Sequence, residues 1–219
     1  IDIKGEEESL EHGVVIVATG GHEYRPSEHL YGRHERVITQ LELEEKVATH
    51  SLKIEELNNV VMIQCVGSRT EDRLYCSKVC CSQAVKNALK LREINPASNI
   101  YVLYKDVRTY GFKEEFYQKA RNQGVIFLRY TDESKPVVTG DNNEIKVKAF
   151  DPVLSEDVLI KPDLLVLSAG IVPNEGNEAL AKMLKVPLNE DGFFLEAHVK
   201  LRPVDFATDG IFVCGLAHS

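Results

Sequence analysis

Four of the five cysteines of this chain stand close together in the sequence, at Cys65, Cys76, Cys80 and Cys81. An apolar run over 60–64 precedes the first of them, and its β-branched residues predict a buried strand. The other three open a segment without Gly or Pro until Pro96, which predicts a helix. Ligands of open α/β sheets bind beyond the carboxyl ends of the strands. We therefore expect the four thiols to converge between the end of the strand and the first turn of the helix.

The spacing C-x10-C-x3-C-C restricts the chemistry of these thiols. Zinc sites are usually built from C-x2-C pairs, and the sequence has none. Neighbouring Cys80 and Cys81 have Cα atoms only about 3.8 Å apart, too close for an ordinary disulfide within a helix. An iron–sulfur cluster takes four thiolates and is wide enough for ligands from a helix turn and a strand end, and a helix N-terminus favours thiolates. Reduced cysteines buried in a core are the alternative, because Cys is often buried.

Composition excludes several classes of function. The chain has 219 residues, 43% of them hydrophobic, and a net charge of −8 with acidic and basic residues interspersed. This charge argues against a nucleic-acid surface and against polybasic membrane attachment. No apolar run approaches the roughly 18 residues that a membrane span requires. The absence of a signal peptide and the cysteine pattern favour a reducing compartment, so we expect the protein to be cytoplasmic.

The order of elements around the cysteines predicts an α/β fold with a doubly wound, Rossmann-like parallel sheet. Strands and helices alternate as βαβαβ over 60–65, about 77–94, 100–104, about 113–122 and 125–130. Hairpins around the turn 140–143 follow within 135–160, and 163–170 returns to the sheet. This order, with its β-meander, is typical of the NAD domain of flavin disulfide reductases.

A dinucleotide site of this fold needs G-x-G-x-x-G between its first strand and helix, and the sequence contains no such motif. The cysteine segment stands in its place. We infer that the crevice holds a cluster instead of a nicotinamide dinucleotide. The loop after the second strand contains Arg108, Thr109 and Tyr110. These residues either contact cluster sulfur and tune its potential or form a solvent-exposed turn, and the sequence leaves both open.

Four stretches resemble the A subunit of heterodisulfide reductase and its relatives: QCVGSR at 64–69, YCSKVCCSQAVKNALKLRE at 75–93, VLYKDVRTYGFKEEFYQKARNQGV at 102–125, and the segment 201–219. The resemblance covers nearly the whole chain. It implies a flavin disulfide-reductase-like scaffold that carries FAD and iron–sulfur clusters. The implied activity is electron transfer between a hydrogenase or dehydrogenase partner and the disulfide-reducing subunits. On this basis we expect Cys65, Cys76, Cys80 and Cys81 to bind a [4Fe–4S] cluster.

The same resemblance identifies flavin contacts at both ends of the chain. The sequence Ala18-Thr19-Gly20 resembles the strand end that closes the first part of an FAD domain, and Cys214-Gly215 resembles the second FAD contact. In that superfamily an Asp normally follows, and here Leu216-Ala217-His218 stands in its place, which leaves the ribityl contact open. Cys214, the fifth cysteine, is interpreted as a strand residue near the flavin and not as a cluster ligand.

These features predict three segments. Residues 1–54 form part of an FAD domain with a linker helix that a capping box at Thr39 begins, 55–171 form the NAD-domain-like domain, and 172–219 return to the FAD domain. Because the chain starts at Ile1 and ends directly after a strand, we expect it to be an excised part of a longer protein. Such a part would lack the glycine-rich half of the FAD site, so FAD is expected in the parent protein and not necessarily here.

Two other functions remain open from the sequence. One is an NAD(P)H-dependent thiol–disulfide oxidoreductase that uses Cys76 with Cys80, or Cys65 with a helix cysteine, although the missing glycine motif disfavours it. The other is a non-catalytic assembly scaffold in which the cysteines are structural.

Overall fold

The computed structural model describes residues 2–3, 6–7, 9, 11–141 and 144–218. The strands are β1 (Asp2–Ile3), β2 (Glu6–Glu7), β3 (Val15–Val17), β4 (Gly21–Glu23), β5 (Val37–Thr39), β6 (Asn59–Val66), β7 (Asn99–Tyr104), β8 (Ile126–Arg129), β9 (Val137–Gly140), β10 (Ile145–Asp151), β11 (Glu156–Ile160), β12 (Leu164–Ala169), β13 (Ile171–Pro173) and β14 (Ile211–Val213). The helices are α1 (Gln40–Ala48), α2 (Cys80–Ile94), α3 (Lys113–Asn122) and α4 (Asn177–Leu184), with short 3-10 turns at Ile54–Glu56 and Gly215–Ala217.

The chain divides into two compact units. The first combines Ile1–His22 with Ile171–Ser219, and the second is the continuous stretch Glu23–Gly170. The predicted boundary after residue 54 differs from this division, because β5 pairs with β12 in the sheet of the second unit. The linker helix α1 also packs there, where Leu43 is completely buried.

A five-stranded parallel sheet forms the centre of the second unit, in the order β5-β12-β6-β7-β8. All six residues of β12 are buried, as expected for an interior strand covered on both faces. The predicted α/β fold with a parallel sheet is therefore confirmed.

Different layers cover the two faces of this sheet. Helices α1, α2 and α3 pack on one face through Leu43, Ala84 and Ala120 against Met62 and neighbouring residues. The antiparallel strands β9, β10 and β11 cover the other face, where Val147 packs against Ile63 and Leu165 among others. The predicted β-meander is thus present, although Asn142 and Asn143 of its predicted turn lie outside the described residues.

Local signals determine several helix ends. Thr39 and Glu42 form the predicted capping box at the start of α1, each side chain bonding the backbone of the other residue. Helix α2, by contrast, begins at Cys80 and not near residue 77, because Lys78 has a left-handed φ of 60° that interrupts the helix. Cys76 therefore lies in the preceding loop and not in the first turn.

The first unit contains a smaller core, in which Phe194 and Phe206 pack edge to face with ring centroids 5.8 Å apart. Strands β3 and β14 pair in parallel, and β13 pairs with β4. Strand β3 is short, and its Ile16 is 62% exposed because the described residues place only β14 beside this strand. Phe194 forms isolated bridges with Leu188 and His218.

None of the helices in the described part of the chain combines the length and apolar character needed to cross a membrane.

Candidate functional site

The cysteines of the motif come from three successive pieces of the second unit. Cys65 lies at the end of β6, Cys76 in the following loop, and Cys80 and Cys81 are the first two residues of α2. All are free thiols, and Cys80 is close enough to the other three for their charges to affect its pKa. The structure therefore brings the four residues together. Among the described residues, no three His, Cys, Asp or Glu side chains lie close enough to hold a single metal ion.

An irregularity in the sheet sets the direction of Cys65. Ile63 pairs with Leu167 and Val66 with Ala169, so β6 has one residue more than β12 across this interval. Such a bulge re-aims a side chain at the end of a strand. Cys65 itself has a φ of 62°, a left-handed conformation that costs a non-glycine residue roughly 1–2 kcal/mol. Strain of this kind is typical of binding and catalytic sites.

The strain at Cys65 leads to a prediction on stability. Without bound metal, Cys65→Gly is expected to be more stable than Cys65→Ser by roughly 0.5–1 kcal/mol, because Gly adopts a positive φ without strain but costs more chain entropy. Both variants lose the thiol, so its chemistry cancels in the comparison. Urea unfolding of the two variants measures the difference. A Ser variant as stable as the Gly variant would mean that the backbone relaxes at this position.

The loop that carries Cys76 begins with a close backbone contact. Gly67 has a φ of 70°, and a Cβ atom there would overlap the ring of Tyr24. The guanidinium of Arg73 lies over the same ring, 4.7 Å from its centroid. The Tyr24 hydroxyl also donates to Glu28, at 3.3 Å. This packing fixes the path of the chain between Cys65 and Cys76.

Three arginines surround one carboxylate beside the thiols. Asp106 accepts from Arg69 at 2.7 Å, and Arg129 and Arg108 lie 3.6 and 3.8 Å from its carboxylate oxygens. Lys105 is 9% exposed and donates to the carbonyl of Arg69, which anchors this loop. Three guanidinium groups around one carboxylate leave a local excess of positive charge, which favours an anionic group near the thiols.

Burial favours the protonated form of three unliganded thiols, those of Cys65, Cys80 and Cys81. Burial, with the charges of the neighbouring cysteines, raises the pKa of Cys65 to about 11 and that of Cys80 to about 12. Burial also raises the pKa of Cys81, whereas the backbone N–H of Arg108 and its guanidinium lower it. The charge of Arg69 likewise lowers the pKa of Cys65. A ligand that binds thiolates must therefore supply positive charge of its own to displace the protons.

Several buried polar atoms beside the thiols lack a partner in the described structure. Both amide atoms of Gln64, the hydroxyl of Ser82 and Nη1 of Arg69 are in this position. Gln64 is 1% exposed, and together with Cys81 it lines a small void of about 10 Å³. An unpaired buried polar group costs roughly 1–3 kcal/mol, so the N–H and O–H groups among these atoms are available to a ligand with acceptor atoms.

The three loop residues whose role the sequence left open have different environments. Arg108 lies beside Cys81 through its backbone N–H and its charge. Thr109 is buried and donates to Glu114, which places it at the start of α3. Tyr110 is 69% exposed and points to solvent. Of the three, Arg108 is therefore the one near the thiols.

The predicted flavin contacts meet in the first unit. Ala18, Thr19 and Gly20 follow β3, and Cys214 and Gly215 follow its parallel neighbour β14. The N–H of Cys214 donates to the carbonyl of Val17 at 3.0 Å. Both glycines have positive φ values, 71° at Gly20 and 67° at Gly215, and the side chain of Cys214 is exposed. Thr19 donates to Asn177, the first residue of α4, at 3.4 Å. The two segments thus form one exposed edge of paired strand ends.

Gln64, Arg69 and Asp106 belong to the thiol site but were not singled out from the sequence. Gln64 directly precedes Cys65, and a polar residue in an otherwise apolar run was a usable signal. Asp106 follows the carboxyl end of β7, next to the end of β6 in the parallel sheet. The pairing of Asp106 with Arg69 could have been expected from that topology, but the distance between the carboxylate and the guanidinium could not.

Comparison with known proteins identifies a consistent set of relatives. The chain is 40% identical over 235 residues to the iron–sulfur A subunit of CoB–CoM heterodisulfide reductase from Methanocaldococcus jannaschii, covering 99% of this chain and 35% of the relative. It is 38% identical over 234 residues to the A subunit of H(2):CoB–CoM heterodisulfide,ferredoxin reductase from Methanothermobacter thermautotrophicus, with the same two coverages. No family model matches the chain. The chain spans about a third of the length of these curated relatives, and the resemblance to the A subunit is confirmed over that part.

The fold has solved counterparts. Thioredoxin reductase of Lactococcus lactis superimposes with a TM-score of 0.57 at 17% identity, covering 94% of this chain and 58% of that protein. This similarity confirms the scaffold predicted from the order of elements.

Proposed function

Since its relatives are the A subunits of heterodisulfide reductases, we propose that this chain is the electron-transfer part of an oxidoreductase subunit of that kind. In this proposal Cys65, Cys76, Cys80 and Cys81 bind a [4Fe–4S] cluster. The cluster relays electrons between FAD, bound by the complete protein, and the partner subunits.

One observation carries the proposal: four thiols meet at the end of a strand, in a positively charged environment, where a dinucleotide-binding fold normally has its glycine-rich loop. The four irons of a cluster spread the ligands over a wider volume than one ion does, which suits thiols from a strand end, a loop and a helix. A cluster with four thiolates is anionic, and the arginines around Asp106 offset that charge. The unpaired donors beside the thiols supply partners for its sulfur atoms.

The cluster, when bound, supplies one-electron transfer. The cysteines fix its position, and the bulge at Cys65 aims one thiolate from the sheet towards those of the helix. Burial of Cys80 excludes water, and Arg69 and Arg108 make the site more favourable for added negative charge. These surroundings set the reduction potential, and no side chain needs to act as an acid or base.

Flavin and partners belong to the complete protein. We propose that Ala18, Thr19, Gly20, Cys214 and Gly215 contact the FAD there. The partners would be the disulfide-reducing subunits and a hydrogenase or dehydrogenase that donates electrons, in the cytoplasm. The names of the relatives, which mention a CoB–CoM heterodisulfide and, in one case, ferredoxin, support this assignment.

Anaerobic reconstitution of the chain with iron and sulfide tests the proposal. We expect about four irons and four acid-labile sulfides per chain, with the visible and EPR spectra of a cubane cluster. A colourless protein that takes up no iron would contradict it. Turnover of a dithiol substrate with NADPH would instead favour a thiol–disulfide oxidoreductase, and unchanged complex formation by a cluster-free variant would favour a scaffold.

The unpaired amide of Gln64 gives a prediction on potential. A donor beside cluster sulfur stabilises the more negative, reduced state, so Gln64→Met is expected to lower the reduction potential by tens of millivolts. In the metal-free chain the same change removes two unpaired buried atoms, so the free energy of unfolding should stay the same or rise by up to about 1 kcal/mol. Redox titration by EPR and urea unfolding measure the two effects.

Gln40 provides the matched control, because it is also a fully buried glutamine of the second unit. Its amide is paired: it donates to Ser168 at 3.2 Å and accepts from Asn87 at 2.7 Å. Gln40→Met should therefore destabilise the metal-free chain by roughly 1–3 kcal/mol. If Gln64→Met destabilised the chain as much and left the potential unchanged, the amide would have a structural partner after all.

A further inference from the structure

Helices α2 and α3 form an open groove on the surface of the second unit. Its volume is about 840 Å³, and Val85, Leu89, Pro96 and Phe116 supply apolar surface to it. The lining residues of α2 recur every three or four positions from Ser82 to Glu93, so they form one continuous face of that helix, and Pro96 lies just beyond its end.

Helix α3 is unusually exposed for a helix of a parallel α/β fold. Only Ala120 of its ten residues is buried. Phe116, in the middle of the helix, is 56% exposed, and Phe112, just before the helix, is 88% exposed. An apolar stripe on a surface helix normally faces a core or a partner, and these aromatic side chains face the open groove and solvent.

The rim of the groove is basic, whereas the chain as a whole has a net charge of −8. The basic residues that line it are Lys86, Lys90, Arg92, Lys113 and Lys119, and Glu93 is the acidic one. Glu44 pairs with Lys86 and Glu93 with Lys90, but within the described residues neither Lys113 nor Lys119 has an ion-pair partner. The groove thus combines an apolar floor with cationic edges, which is complementary to an acidic, amphipathic ligand.

The dimensions of the groove suit a helix. The distance along α2 from Ser82 to Glu93 is about 17 Å at 1.5 Å per residue, the length of a helix of about 11 residues. Helix-in-groove recognition uses an apolar face at i, i+3, i+4 and i+7 laid against such a floor. We propose that this groove binds an acidic amphipathic helix of a partner protein.

The groove does not include the proposed cluster ligands, but it lies along the helix that carries two of them. Cys80 and Cys81 form the first turn of α2, and Ser82, the next residue, lines the groove. A partner bound along α2 therefore lies beside the helix whose N-terminus carries two thiols. Apolar contact with a charged rim gives association that is fast and sensitive to salt.

Binding of two designed peptides tests the groove. Each is a fluorescently labelled helix of about 14 residues with Leu on one face, and its other face is Glu in one peptide and Lys in the other. By fluorescence anisotropy, the Glu peptide is expected to bind the purified chain at least roughly tenfold more tightly than the Lys peptide. Its affinity should fall as salt rises from about 0.05 to 0.5 M. Equal binding of both peptides, or of neither, would overturn the proposal.

Charge-reversal variants test whether the peptides bind in the groove. The double variant Lys113→Glu with Lys119→Glu should lose the preference for the Glu peptide, and Phe116→Ser should weaken binding of both peptides. Lys182→Glu with Lys200→Glu is the matched control, because both residues are exposed and lie in the first unit. Far-UV circular dichroism verifies folding of each variant. Equal losses in both double variants would show that only net charge matters, and would overturn the assignment to the groove.

Sedimentation of the chain alone tests whether the groove instead binds a second copy of the chain. The proposal predicts a monomer at the concentrations used for peptide binding. Dimerisation that Phe116→Ser abolishes would show that the groove binds a second copy of the chain, and this result would also overturn it.

Discussion

Replacing any one of Cys65, Cys76, Cys80 and Cys81 by Ser is expected to abolish stable binding of a four-iron cluster. Each residue would supply one of four thiolates, and a serine oxygen is a poor substitute for a soft sulfur ligand. Iron and acid-labile sulfide after anaerobic reconstitution should fall from about four of each per chain to a small fraction of that. The EPR signal of the reduced sample should disappear in parallel.

Cys214→Ser is the matched control for this series. Cys214 is an exposed thiol of the first unit, whereas the other four belong to the second. Its variant should retain the iron and sulfide of the unmodified chain. Full loss at Cys214, or full retention at one of the other four positions, would require a different ligand set.

Gly67→Ala is expected to destabilise the second unit strongly. The new Cβ would overlap the ring of Tyr24, and the left-handed backbone at Gly67 would add strain of roughly 1–2 kcal/mol. Because Glu28 and Arg73 hold that ring, it cannot move without losing their contacts. Overpacking typically costs a further 1–3 kcal/mol or so, and urea unfolding would show the total as a lower midpoint.

Gly111→Ala separates the two contributions. Gly111 has a φ of 61°, similar to that of Gly67, but a Cβ atom there meets nothing within 4 Å. This variant should therefore show the backbone strain alone, about 1 kcal/mol. In a chain that already carries Tyr24→Ala, the Gly67→Ala change should cost less stability than it does in the unmodified chain, because the ring that the new Cβ would overlap is gone. Similar losses for the two glycine variants would show that the Tyr24 ring gives way.

The parts of the fold that depend on local patterns could be predicted from the sequence. The capping box at Thr39 predicted the start of α1, and the apolar runs that became β6, β7 and β12 predicted a parallel sheet. The spacing of the cysteines, combined with that topology, predicted that their thiols would meet. In each case a local signal carried the information: a cap, an apolar run, or the spacing of the cysteines.

Features that depend on tertiary contacts could not be predicted in this way. The bulge at Cys65 exists because β6 and β12 differ by one residue where they pair, which neither strand reveals alone. The short strand β5 joins the sheet through β12, about 125 residues later in the chain, so the division of the structure into two units differs from the boundary predicted after residue 54. The left-handed φ of Lys78, which places Cys76 outside the helix, has no local signal such as Gly.

The discontinuous first unit determines the order in which the chain can fold during synthesis. Strand β3 finds its partner β14 only after the whole of the second unit has been translated, because Val15 pairs with Ile211. The second unit is continuous, so its sheet can form as soon as β12 has left the ribosome. All four motif cysteines would then already be in place, while β3 still lacks its partner. The four thiols can therefore come together in the nascent chain before its first unit is complete.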